Sequence, residues 1–244
     1  MDPLGHSSEN LKMPKFKRSR KIYNTGRPTK RRKVYCRKSF MSRNVSRIAR
    51  QVVLRAAETK SKTIAHGKTE LYHNSMSMNI HLNTASHMPA QGDGSNGRNG
   101  DSIISKGYKI RMAITNKGDR PNVTYRLLVF AARAGTTNTY SNVFENISGN
   151  CLLDAVNTDR CTILYQRWFK PNKAMVATSE TGLKEYTSTK QFYIKREKTL
   201  KFNGNEQNDR DVYMVMLAYD AYGTLQTDNI AYVQTWSEFI YKDP

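Results

Sequence analysis

Charge is distributed so unevenly along this chain that it divides the molecule before any secondary structure is considered. Residues 1–60 hold 18 of the 40 Lys and Arg but only three of the 20 acids, Asp2, Glu9 and Glu58, so +15 of the +20 net charge lies in the first quarter of 244 residues. Blocks of like charge with few aliphatic neighbours repel one another and bury too little to form a core. Residues 1–42 therefore read as a disordered basic arm, and a folded domain has to be built from the rest of the chain. An excess this large points to a polyanionic partner; charge carried only for solubility seldom needs as much.

Within the arm the bases cluster as Lys15, Lys17, Arg18, Arg20 and Lys21, then Lys30, Arg31, Arg32 and Lys33, then Arg37 and Lys38. Each can neutralise a phosphate and release a counterion whatever the base sequence. Phe16, Tyr23, Tyr35 and Phe40 are interleaved among them. That suits stacking on unpaired bases, although four aromatics in forty residues also arise by chance. Two of the clusters, Lys17, Arg18, Arg20, Lys21 and Lys30, Arg31, Arg32, Lys33, have the form of nuclear-import signals, a pattern common to basic tails.

From residue 43 the pattern changes. Val45, Ile48, Ala49, Val52, Val53, Ala56 and Ala57 recur at steps of three and four, with Arg43, Arg47, Arg50 and Arg55 mostly elsewhere around the wheel. Ser42 is an N-cap candidate, and residues 43–60 are expected to form one amphipathic arm helix. Its narrow apolar stripe needs a partner, either the chain's own domain or other copies of itself. The four arginines join the candidate nucleic-acid contacts.

Beyond residue 60 the helical period is gone, and residues 61–244 are expected to form an all-β domain. Strands are predicted over 69–82, 103–115, 123–133, 161–169, 191–202, 212–219 and 230–241, with polar turns between them. Tyr108, Ile110, Met112 and Ile114 point one way and Lys109, Arg111 and Ala113 the other. In Leu127–Ala131 both faces are apolar, so that strand reads as buried on both sides. Short helical turns are expected at 142–147 and 152–155. Seven or eight strands without helical crossovers argue for an antiparallel sandwich, of which the jelly roll is one form.

Several motifs exclude more than they include. Gly92-Asp93-Gly94-Ser95-Asn96-Gly97 satisfies the dinucleotide fingerprint by letter, but no apolar strand precedes it and no helix comes after it. It reads as a flexible inter-strand loop. The one Gly-Lys-Thr triplet, Gly67-Lys68-Thr69, has Lys62 where a phosphate loop needs its first glycine, so the full phosphate-loop pattern does not occur. The five histidines never pair at metal-ligand or nuclease spacing, and Asp209-Arg210-Asp211 reads as a solvated turn. No catalytic residue, metal or cofactor is expected, and the chain is not expected to be an enzyme. Cys36, Cys151 and Cys161 are an odd number without a CxxC pair, which suggests free thiols in a reducing compartment. No apolar run reaches the length of a membrane span, and the first ten residues are polar, so neither membrane insertion nor secretion is expected.

The loop Gln91-Gly92-Asp93-Gly94-Ser95-Asn96-Gly97-Arg98-Asn99-Gly100-Asp101, feeding the strand Ser105–Met112, resembles the coat proteins of satellite necrosis viruses. The same layout occurs in single-jelly-roll capsid proteins of circular Rep-encoding single-stranded DNA viruses. The resemblance runs on through Tyr125–Phe130 and Arg133, Gly135-Thr136-Thr137, Val143-Phe144-Glu145 and Arg160–Leu164. Tyr213–Tyr219 and Ile230–Asp243 are similar to the closing strands of geminivirus coat proteins, whose cysteine- and histidine-rich segment this chain lacks.

The resemblance implies an eight-stranded jelly roll and a small icosahedral shell of the simplest (T=1) kind, with the chain as its own partner. The arm would lie inward on the packaged genome. The helix at 43–60 would correspond to the arm helix that gathers about a three-fold axis and touches nucleic acid. The longer, more basic arm favours single-stranded DNA over RNA and assembly in a host nucleus, with nuclear-import receptors as further partners and the virion as destination. Alternatives are a nuclear shuttle or movement protein of a plant single-stranded DNA virus, and the coat protein of an RNA satellite.

Overall fold

The computed structural model describes residues 44–49, 51–52, 56–117, 120, 122–133, 135–145, 148–170, 186–221, 225 and 227–243. The chain divides into two compact units, Met1–Asn44 and Val45–Pro244. The first lies almost wholly outside the described residues, so the described fold is that of the second.

Among the described residues eleven strands succeed one another: β1 (Glu58–Tyr72), β2 (Ser75–His81), β3 (Ser102–Asn116), β4 (Thr124–Ala132), β5 (Phe144–Glu145), β6 (Ala155–Val156), β7 (Cys161–Phe169), β8 (Tyr186–Asn203), β9 (Glu206–Gln207), β10 (Val212–Tyr219) and β11 (Asn229–Asp243). The first sheet has the order β1-β11-β3-β8-β9 and the second β10-β4-β7, with antiparallel neighbours throughout. β2 lies along the free edge of β10. The backbone N–H of Asn74 donates to Ala218 O at 2.8 Å, and that of Leu82 to Val212 O at 2.7 Å. Two four-stranded layers result, β1-β11-β3-β8 and β2-β10-β4-β7, each built from strands that are mostly non-adjacent in sequence. That interleaving is the jelly roll.

Side-chain alternation decides what lies between the layers. On β3, Tyr108, Ile110, Met112 and Ile114 are buried, while Lys109, Arg111, Ala113 and Thr115 face out. Leu127 and Val129 of β4, Met214 and Met216 of β10, and Val233 and Phe239 of β11 complete this inter-sheet core. Tyr125 reaches across it and donates its hydroxyl to Asn116 Oδ1 at 2.5 Å. A second core lies on the opposite face of the second sheet. Leu128, Phe130 and Ala132 of β4 and Val215 and Leu217 of β10 are covered there by Val143, Phe144, Cys151 and Val156. β4 is thus buried on both faces, as its sequence predicts.

Three local readings differ. Residues 69–82 are two strands, because Asn74 takes a left-handed φ of 51° and turns the chain between them; asparagine tolerates that region better than most residues. β1 also begins at Glu58, earlier than the first predicted strand, and takes the last three residues of the expected arm helix. The excursion after β4 holds a helical turn at Tyr140–Val143, which begins two residues before the one expected at 142–147. It also holds a turn at 151–153, where the Asp154 N–H donates to Asn150 O at 3.1 Å, one residue before that expected at 152–155; the short pair β5–β6 is the addition. In β3 the register slips at Gly107, with φ 146°. A Cβ there would sit 2.1 Å from Ile194 O, so only glycine fits this bulge.

Candidate nucleic-acid interface

Of the cations expected to contact nucleic acid, Lys15, Lys17, Arg18, Arg20, Lys21, Lys30, Arg31, Arg32, Lys33, Arg37, Lys38, Arg43, Arg50 and Arg55 lie outside the described residues. Arg47 is described; it is helical and exposed. Residues 44–49 and 51–52 are helical around it. On that helical segment Val45, Ile48 and Val52 are 65%, 57% and 60% exposed. The described part of the apolar stripe is therefore not covered by the chain's own sheets, which leaves it free for another molecule.

The second half of the motif loop at 91–101 is anchored, which the sequence does not foresee. Arg98, fully buried, donates to the carbonyls of Gly100 and Gly204 and stacks over Phe202, 4.2 Å from the ring centre. Asp243 accepts the Asn99 N–H at 2.9 Å and pairs with the buried Lys60 at 3.2 Å. Tyr241 donates its hydroxyl to Gly97 O at 3.0 Å. Gly97 to Asn99 are thereby tied to neighbouring strands, while residues 92–96 are exposed. The Asp209 turn also differs from expectation. The Asp209 side chain is only 3% exposed and pairs with Arg196 at 2.7 Å and with Lys198, so it is an internal ion pair and not a solvated turn.

Buried polar groups elsewhere serve the fold. Arg126 points out from β4 into the second core and donates to Cys151 O (2.9 Å) and Asp154 O (2.5 Å), clasping the excursion against the sheet. Its guanidinium lies 4.9 Å from the Phe144 ring centre and 5.1 Å from that of Trp168, and burial lowers its pKa. The Asp154 carboxylate accepts the Tyr140 hydroxyl at 2.6 Å and the Ser148 hydroxyl at 2.7 Å. Cys151 and Cys161 are buried free thiols, and burial pushes the Cys151 thiol up to about 12, which keeps it protonated and unreactive. Among the described residues no three His, Cys, Asp or Glu side chains are placed to hold a metal ion. No described helix is long and apolar enough to cross a membrane.

The outer face of the first sheet is different in character. Register brings Ala65, Trp236, Arg111 and Gln191 into one row across β1, β11, β3 and β8, and Lys68, Gln234, Ala113 and Thr189 into the next on that face. The Arg111 guanidinium lies 4.8 Å from the Trp236 ring centre and the Lys68 ammonium 3.7 Å from that of Tyr232. Ala65 and Ala113 are too small to fill the space between these long side chains. Two adjoining hollows open there, of about 570 and 130 Å3. Sequence alternation places Arg111 on the outside, but its pairing with a ring 125 positions later depends on strand register, which a single sequence does not carry.

No family model matches the chain, and no curated protein matches it. Among solved structures the chain is similar to a protein of Sacbrood virus of honeybee, with 8% identity over 76% of this chain and 73% of that one, and a TM-score of 0.32.

Proposed function

We propose that this chain is a viral capsid protein that assembles with copies of itself into a small closed shell and packages single-stranded nucleic acid, DNA in preference to RNA, through its basic arm. The observation that carries this reading is the direct attachment of a +15 segment to the first strand of a jelly roll. If roughly sixty copies close a shell, their first 60 residues together bring about 900 net positive charges, the scale of the phosphates in a genome of about one to a few thousand nucleotides. The exposed stripe of Val45, Ile48 and Val52 supplies a self-association surface beside the arm. The clusters at 17–21 and 30–33 serve nuclear import, which gives the chain a route to a nuclear assembly site.

Electron microscopy of the purified protein mixed with single-stranded DNA tests the reading. Uniform closed particles whose DNA resists nuclease are expected; open aggregates or dispersed monomers at every protein-to-DNA ratio would sink it. A fusion of residues 1–42 to a fluorescent reporter tests import separately. Nuclear accumulation, lost when Lys30, Arg31, Arg32 and Lys33 become Ala, is expected, and a diffuse reporter would remove import from the proposal.

A further inference from the structure

Most cations on the outer face of the first sheet are matched by carboxylates. Lys109 pairs with Glu238 at 3.7 Å, and Lys106 and Lys195 share Glu197 at 3.3 and 3.6 Å. Arg111 and Lys68 differ, since among the described residues each rests on an aromatic ring and forms no ion pair. Of the acids nearest by register, Glu238 beside Arg111 pairs with Lys109, and Glu70 beside Lys68 accepts the Tyr72 hydroxyl at 2.5 Å. Trp236 and Tyr232 are four residues apart on β11, hence on one face and ~13 Å apart. Each has its own cation and its own hollow, and Gln191, Gln234 and Thr189 offer amide and hydroxyl groups between them.

Planar π surfaces joined to unpaired cations, over a cavity of small-molecule size, suit unpaired bases with their phosphates better than an apolar protein partner. A peptide or second chain would be expected to meet a more apolar, less cationic centre.

We propose that this face binds unpaired bases of single-stranded nucleic acid, with one base stacked against the Arg111–Trp236 pair, another against Tyr232, and Arg111 and Lys68 held to the adjoining phosphates. The proposal rests on the packaging reading and adds to it a second contact surface, on the folded domain itself. Stacking tolerates any base, so the site confers no sequence preference; it fixes the path of the strand over the sheet while the arm supplies long-range attraction.

The chain has two tryptophans, Trp168 and Trp236, so Trp168→Phe leaves Trp236 as the only indole. The full-length variant is titrated with a short oligothymidylate and with an abasic strand of equal length. Binding is monitored by anisotropy of a label on the strand and stacking by Trp236 emission. Both strands are expected to bind, through the arm, but only the oligothymidylate should quench Trp236, by about half. Arg111→Gln with Lys68→Gln should abolish most of the quenching and lower the salt slope by about 1.4.

Binding of both strands with Trp236 emission unchanged would overturn the site and leave packaging intact. Failure of both strands to bind would overturn packaging and this proposal together. A blue shift of Trp236 on particle formation without nucleic acid, with no later response to the oligothymidylate, would assign the face to contacts between copies and overturn the site. Should Trp168→Phe fail to fold, wild type and Trp236→Phe are compared, and quenching should occur only in wild type.

Discussion

The outward faces of β4 and β3 begin from the same geometry and end in opposite environments. Both strands carry an inward row in the inter-sheet core, Leu127 and Val129 on β4, Ile110 and Met112 on β3. The outward row of β4, Leu128, Phe130 and Ala132, is covered by the excursion that contains Phe144 and Val156. That of β3, with Lys109, Arg111, Ala113 and Thr115, has nothing described above it. A strand alternates only when one side meets water, so the same fold writes a continuous apolar run in one sheet and strict alternation in the other. A covered outer face serves the fold. An uncovered one with stacked cations is where a polyanion has access.

The sharpest test compares one residue from each face. Phe130 is fully buried against the excursion, so Phe130→Ala should cost about 3–5 kcal/mol of unfolding free energy. Trp236→Ala, from the uncovered face, should cost less than half as much in the same urea titration. Equal costs would mean that the first sheet's outer face is stabilised as a core is, and the contrast would fail.

Arg126 probes the cover itself. Arg126→Ala removes the donor that holds the carbonyls of Cys151 and Asp154, with an expected loss of about 1–3 kcal/mol. New proteolytic cuts should fall within residues 140–156 before any appear in the sheets. Cuts elsewhere first would show that the excursion is not the weaker layer.

Much of this contrast is legible in the chain. β7 and β10 fall on their predicted spans, 161–169 and 212–219, and the two-sided burial of β4 agrees with its unbroken apolar run. β1 escapes sequence reading from Glu58 to Lys68 because an edge strand with polar residues on both sides, and only Ile64 and Ala65 apolar, has no period to read. The roles of Arg98, Arg126 and Asp209 are equally hidden. Each is a charged residue that sequence alone places in water, and each is buried by partners that only the tertiary fold delivers. Of the candidate nucleic-acid cations only Arg47 lies among the described residues, while the Arg111–Trp236 and Lys68–Tyr232 pairs cannot be foreseen without strand register.

Partly buried histidines make the stability of the fold respond to pH. Burial lowers the pKa of His66, His73 and His87, in His66 aided by His87. His73 Nδ1 accepts the Asp220 backbone N–H at 3.1 Å, which requires that nitrogen to be unprotonated. The unfolded chain therefore binds more protons just below the ordinary histidine value of about 6.5. Stability from these groups is full above that pH and is lost as pH falls from there through the folded-state values. The melting temperature should drop between about pH 7 and pH 5, and His73→Asn, which keeps an acceptor without the titration, should flatten part of the slope. A profile unchanged in that variant would remove His73 from the account.

The smallest effect on stability is expected where the chain is least covered, on the helical segment. Val45, Ile48 and Val52 form a stripe too narrow to hold an isolated helix in water, and the described domain does not bury it. If copies of this helix meet one another inside a shell, as the resemblance to satellite coat proteins implies, their stripes are buried only in the particle, with Arg47 turned to the genome. Ile48→Asp with Val52→Asp would then put carboxylates into that contact and beside a polyanion. In the monomer both side chains stand in solvent, so unfolding free energy should change by no more than about 0.5 kcal/mol per site. The expected result is a protein with unaltered β-sheet circular dichroism that forms few or no particles with single-stranded DNA. Normal particle yield would make the helix dispensable for assembly. A loss of sheet signal would instead mean that the stripe is covered by its own domain, and the helical segment would then belong with the covered face of β4.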